Sequence, residues 1–244
     1  MKYTPINILF LILVFCTSCG GQNKPELSKE KIKSESKDVS TSRWTDTRYE
    51  YTDSKSRLLT IQNSFPRGGT KYTDPKGEAY TYAVFWTRII NETDNLLELK
   101  IELPVDSYEP PWLPGKHYQI LIPPDTMTMD KEPLYNYGLT GLDSFLDNNI
   151  HKPSSLKRAI KLNESSSFYV VLLSRINEAA PGALRTGFRL KGQDLFYGIS
   201  LYKGPPPITL LGEKEIQGGS INLKNLILRK ITNASLQSEW EAGH

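Results

Sequence analysis

The chain reads as an all-β protein, a single enlarged antiparallel β-sandwich with one short helix. Three observations lead there. Short segments of period-two hydrophobicity recur from Trp44 onward, clusters of Asn, Asp, Gly and Ser punctuate them, and only one segment carries helical spacing. With 244 residues, the chain suits one substantial β domain, since sandwiches and barrels reach about 200–250 residues.

The elements follow in order. TRYEY (47–51) and RLLTIQN (57–63) flank the turn-like TDSKS and predict a hairpin. YTYAVFWTRII (80–90) is apolar on both faces, as a central strand covered on both sides must be. In LLELKIEL (96–103), Leu97, Leu99, Ile101 and Leu103 point one way while Glu98, Lys100 and Glu102 point the other, which is a strand with one wet face. NETDN (91–95) between these two predicts that they pair as a hairpin.

Strands are expected next at HYQILI (117–122), within 156–163, and at FYVVLLSRI (168–176). LRTGFRL (184–190) and DLFYGISLY (194–202) should pair across the KGQD turn, and SINLKNLILRK (220–230) closes the set. Loops are expected at 104–116, 123–139 and 203–219, with Gly218-Gly219-Ser220 read as a turn. In 138–150, Leu139, Leu142, Leu146 and Ile150 lie near one helical face, and Thr140 with Asp143 suggests an N-terminal cap. An apolar strand, an Asn/Asp turn and a cleanly alternating strand resemble Ig-like lipoprotein domains. The domain is larger than the roughly 100 residues of a minimal Ig unit, and the three long loops account for the excess.

The N-terminus speaks of location. Lys2 precedes an apolar run, Ile6 to Phe15, interrupted only by Asn7. That is too short to span a bilayer, which takes about 20 residues, and has the length of a secretory apolar region. Both cysteines of the chain follow it, Cys16 and Cys19, in Thr17-Ser18-Cys19-Gly20. This stretch resembles the bacterial lipoprotein box, in which a small residue precedes the cysteine that becomes the lipidated N-terminus. The family usually has a Leu-like residue three before that cysteine. Here the position is Cys16, itself small and apolar. The competing reading is a Cys-x-x-Cys redox or metal pair, which needs a packed setting and further ligands. The segment after Cys19 offers no Cys or His until His117.

The resemblance implies cleavage after residue 18, lipidation of Cys19, and a bacterial cell-envelope protein held on the membrane by its lipid. Residues 24–42 lack aromatics and are dominated by Lys, Glu and Ser, so 19–43 reads as the lipidated cysteine with a flexible tether. The folded domain is expected at 44–231 and a tail at 232–244. Some families of surface-exported lipoproteins carry an acidic cluster just after the cysteine. This chain has none, which leaves the periplasmic face of the outer membrane as the expected site.

A formal net charge of +3, from 30 basic and 27 acidic residues, with no basic cluster interleaved with aromatics, gives no nucleic-acid signature. Motifs of catalysis and cofactor binding are also missing. No Gly-x-Ser-x-Gly, His-Glu-x-x-His, P-loop or Asp-x-Asp-x-Asp-Gly loop occurs, so no catalytic residue, metal ligand or cofactor is nominated. Asp143, Asp147, Asn148 and Asn149 form an oxygen-rich patch, for which a solvated helix face is the simpler account than a calcium site.

The most informative segments are loops rich in aromatics and proline. SYEPPWLPGKHY (107–118) holds Tyr108, Trp112 and Tyr118, EPLYNYGL (132–139) holds Tyr135 and Tyr137, and YKGPPPI (202–208) adds Tyr202. Proline stiffens a loop before binding, and exposed Tyr and Trp anchor proteins or stack on sugars. Tyr108, Trp112, Tyr118, Tyr135 and Tyr137 are therefore the candidate ligand-binding residues. The alternative is that these rings fold back onto the sandwich as core. The functional expectation is a non-catalytic binding or scaffolding protein of an envelope assembly, with an envelope protein or glycan as partner. A glycan-binding lipoprotein serving polysaccharide uptake is the second reading.

Overall fold

The computed structural model describes residues 42–105, 108–109, 114–176, 183–203, 209–224 and 226–231. These residues form twelve strands: β1 (Thr45–Thr52), β2 (Leu58–Ser64), β3 (Arg67–Thr73), β4 (Ala79–Asn91), β5 (Leu97–Leu103), β6 (Tyr118–Leu121), β7 (Ser154–Ile160), β8 (Glu164–Arg175), β9 (Ala183–Lys191), β10 (Asp194–Lys203), β11 (Thr209–Asn222) and β12 (Arg229–Ile231). One α-helix, α1 (Leu142–Asn149), lies between β6 and β7. The first sheet has strand order β12-β1-β2-β4-β8-β6, with β3 also on β4, and the second has β7-β5-β11-β10-β9. All pairings among the described residues are antiparallel, so the predicted all-β sandwich is observed.

Two apolar clusters hold the layers. Between the sheets, Leu59, Ile61, Phe85, Ile89, Phe168 and Val170 of the first meet Leu97, Leu99, Ile101, Phe188, Tyr197 and Ile199 of the second. On the outer side of the first sheet, Tyr82, Val84, Trp86, Tyr169 and Val171 are covered by Met127, Tyr137, Leu139, Leu142, Leu146 and Ile150. α1 and the loop before it thus form a third layer. This is why β4 and β8 are apolar on both faces: each faces a core on either side.

Several turns form as the residues dictate. Between β1 and β2, Asp53 Oδ1 accepts the N–H groups of Lys55 and Arg57, closing the expected hairpin turn. The β9–β10 hairpin turns through Gly192 at φ +64°.

Elsewhere the structure departs from the pattern-based reading. β4 and β5 do not pair; they belong to different sheets. Asn91 makes the crossing possible. It is fully buried, and its Nδ2 donates to the carbonyls of Asn95, Ile160 and Lys161 at 2.8, 2.9 and 3.1 Å. The Asn/Asp-rich segment is thus a corner between sheets, where a hairpin turn would use similar residues.

β3 escaped the reading because RGGTKYT lacks alternation. It continues β2 along the same edge of β4 after a break at Phe65-Pro66. At the break, Ser64 Oγ accepts the Trp86 N–H at 2.9 Å. Gly68 is required nearby, since a Cβ there would lie 2.9 Å from the Tyr82 carbonyl oxygen.

The loop expected at 203–219 is largely strand β11, and the strand expected at 220–230 covers only the end of β11 and the start of β12. Gly218 and Gly219 are not a turn: they sit inside β11, where the register against β10 slips between Leu195 and Phe196. A Cβ on Gly219 would stand 2.1 Å from the Lys100 carbonyl oxygen, so glycine here serves close strand approach. The expected cap on α1 does not form either: the N-cap is Gly141, with no side-chain cap bond. The apolar helical face was legible, since Leu139, Leu142, Leu146 and Ile150 are all buried.

Candidate functional site

The segment before α1 packs on the outer face of the first sheet through Met127, Tyr137 and Leu139. Tyr137 is its anchor. The side chain is fully buried, its hydroxyl donates to the Phe65 carbonyl at 2.7 Å, and its carbonyl accepts the Tyr169 hydroxyl at 2.8 Å. The ring meets Trp86 edge-on at 6.4 Å. Asn136, Tyr137 and Gly138 are consecutively left-handed, with φ of +46°, +56° and +71°. For a tyrosine that conformation is strained, and it persists because core packing and two hydrogen bonds hold both ends of the residue.

The strained turn lifts its preceding residues into solvent. Leu134 is 52% and Tyr135 70% exposed. The Tyr135 hydroxyl is 2.8 Å from Thr70 Oγ1, which fixes the ring without burying it. An apolar pair is therefore displayed on a rigid support, the arrangement that loses least entropy on contact.

Beside this turn the described chain begins. Ser42 Oγ donates to Glu132 Oε2 at 2.7 Å. The Arg43 and Arg67 guanidinium groups lie over the Trp44 ring at 4.7 and 3.9 Å, and Arg67 also stands 5.2 Å from the Tyr137 ring. Glu132 is buried, and burial raises its carboxyl above the usual range despite Ser42 and the nearby Arg88 charge. Its Oε1 has no hydrogen-bond partner among the described residues. These contacts hold Ser42 and Trp44 beside the turn.

The five aromatics nominated from the sequence part company here. Tyr108 and Tyr118 pair through their main chains, and both rings lie in the inter-sheet core at 7% and 2% exposure. Tyr137 is core as well, on the other side of the first sheet. These three rings fold back as packing, with no free face for a ligand. Of the four nominated aromatics that are described, Tyr135 is the exposed one. Trp112 and Cys19 lie outside the described residues. Nothing in composition separates Tyr135 from Tyr137; the backbone turn between them does. Glu132, Arg67 and Trp44 were not nominated, because their pairing spans sheet and loop.

A second polar site lies at the seam of β1 and β9. A bulge between Thr45 and Thr47 turns Asp46 toward Arg185, with Oδ1 3.4 Å from the guanidinium. Burial pushes the Asp46 carboxyl up to about 6, with Arg185 opposing the rise. Arg185 in turn covers the Phe65 ring at 4.4 Å. On the outer face of the second sheet, an open groove of about 460 Å³ runs beside Lys100, Lys157 and Ser220. Among the described residues, no three or more His, Cys, Asp and Glu side chains converge as metal ligands. In the oxygen-rich patch on α1, Asp147 accepts the Tyr72 hydroxyl at 2.7 Å, while Asn148 and Asn149 donate back to the helix carbonyls of Ser144 and Phe145. No helix among the described residues is long and apolar enough to cross a membrane.

Comparison of the chain with protein-family models, with curated proteins and with solved structures finds no match in any of the three.

Proposed function

We propose that the chain is a lipid-anchored cell-envelope protein, held through Cys19, whose domain of about 44–231 acts by binding or scaffolding. The domain is read as an enlarged Ig-like sandwich on the periplasmic face of the outer membrane. One observation carries the reading: the domain's first residues are clamped beside a rigid turn that displays Leu134 and Tyr135. Clamping by Ser42, Trp44 and Arg67 suits a domain whose incoming chain bears an anchor. The displayed pair suits contact with another surface. The partner in this reading belongs to an envelope assembly.

In-cell crosslinking of the native protein, with mass spectrometry of what co-purifies, tests the proposal. A dominant protein partner supports the scaffolding role. Retention of a polysaccharide without such a partner supports the second reading, a glycan-binding lipoprotein in polysaccharide uptake, to which Tyr135 and Trp112 would contribute stacking faces. Robust turnover of ester or glycoside substrates by the purified protein would overturn both.

A further inference from the structure

The proposed function leaves open what the displayed turn meets. We infer that Leu134 and Tyr135 rest on the surface of the membrane that carries the lipid anchor, docking the domain in one orientation. The inference builds on the lipid-anchored reading.

Position is the first argument. Glu132, two residues before Leu134, holds Ser42, the first described residue of the domain. The exposed pair therefore lies next to the point where the chain from Cys19 enters. Residues 20–41 reach at most roughly 80 Å even if fully extended. A domain leashed within that distance meets the membrane at an effective concentration of millimolar order, so a weak contact is enough.

Chemistry is the second. Tyr135 is 70% exposed and has an apolar ring with a polar tip, the character that places Tyr at membrane–water boundaries. Leu134, 52% exposed, supplies purely apolar surface beside it. Rigidity is the third. The left-handed run from Asn136 to Gly138, pinned by the buried Tyr137, keeps both side chains outward before any contact. A Cβ on Gly138 would press on Leu134 Cδ1 and on Lys131 at 3.2 Å, so glycine there preserves the turn. With this face down, the outer face of the second sheet, with its groove between Lys100 and Lys157, points away from the membrane and stays open to an envelope partner.

The test uses the full lipidated protein reconstituted in phospholipid vesicles. Leu134→Cys and, separately, Tyr135→Cys carry an environment-sensitive fluorophore, and Lys157→Cys on the opposite face is the reference. Each variant is first shown to melt like the parent. Brominated lipid should quench the label at 134 or 135 at least threefold more than at 157, and aqueous iodide should do the reverse. Equal quenching at all three positions, with Cys19 shown to be acylated, overturns the inference and leaves the anchored reading standing. Failure to find lipid on Cys19 overturns both.

Discussion

The carboxamide of Asn63, in the first sheet, grips both main-chain groups of Phe188 in the second. Nδ2 donates to the Phe188 carbonyl at 3.0 Å, and Oδ1 accepts the Phe188 N–H at 2.9 Å. Thr47 and Thr87 complete the amide's bonding at 3.0 and 2.8 Å. Among the described residues β9 is an edge strand paired only with β10, so its outward main chain needs partners. Asn63 supplies two, and the Tyr51 hydroxyl accepts the Leu190 N–H for a third. The close approach depends on Gly187, where a Cβ would fall 2.5 Å from Asn63 Cγ.

Asn63→Leu is expected to destabilise the domain by about 3 kcal/mol, because it strands a buried N–H and a buried carbonyl. Gly187→Ala should cost a similar amount through the clash. Because an alanine at 63 makes room for the added methyl, Asn63→Ala with Gly187→Ala should cost clearly less than the sum of the two singles. Urea unfolding of the parent, Asn63→Ala, Gly187→Ala and the double variant measures this, and additive costs would refute the coupling.

Asp46 predicts a pH dependence. Its carboxyl titrates at about 6 in the folded chain against 3.8 unperturbed. A raised value means that the folded form holds the proton more tightly. The resulting stabilisation is complete below pH 3.8, declines between 3.8 and 6, and is gone above 6. The whole range corresponds to about 3 kcal/mol. Asp46→Asn should remove this component and raise the melting temperature at pH 7.5 more than at pH 4. Parallel melting curves for both proteins across that range would contradict the assignment.

Among the nominated aromatics, burial predicts opposite consequences. Tyr118→Ala empties part of the inter-sheet core and should cost about 3–5 kcal/mol. Tyr135→Ser removes an exposed ring and should change stability by less than about 0.5 kcal/mol. Thermal melts of the two variants separate the packing role from the display role. A large loss in Tyr135→Ser would return that ring to the core.

Gly219→Ala places a methyl against the Lys100 carbonyl and should force β5 and β11 apart, at a cost of about 3 kcal/mol. Hydrogen exchange should quicken at the paired residues Leu99, Lys100 and Ile101 while β4 and β8 stay protected. Uniform protection in the variant would show that the sheet accommodates the methyl.

Periodicity revealed what burial imposes. Leu97 to Leu103 alternate as expected, and the two-faced apolarity of 80–90 anticipated the third layer over β4. What stayed hidden depends on partners distant in sequence. β3 is polar because only Tyr72 of its residues is buried, and Glu213 and Glu215 in β11 are neutralised by Arg189 and Lys191 from β9, which gave the segment a loop-like composition. Glycines at 218 and 219 mark a tight approach in the fold and a turn in the sequence, and one dimension does not distinguish them. The same holds at the candidate site. Whether Tyr135 or Tyr137 is exposed follows from three left-handed residues, which the spacing of aromatics does not encode.

In the reading proposed above, a lipid on Cys19 holds the domain at the membrane. Mass spectrometry of the N-terminal peptide from protein extracted out of the membrane fraction tests it most directly. The expected chain begins at Cys19 and carries acyl groups on that residue. A chain that keeps residues 1–18, or a Cys19 that is unacylated or bonded to Cys16, would contradict it.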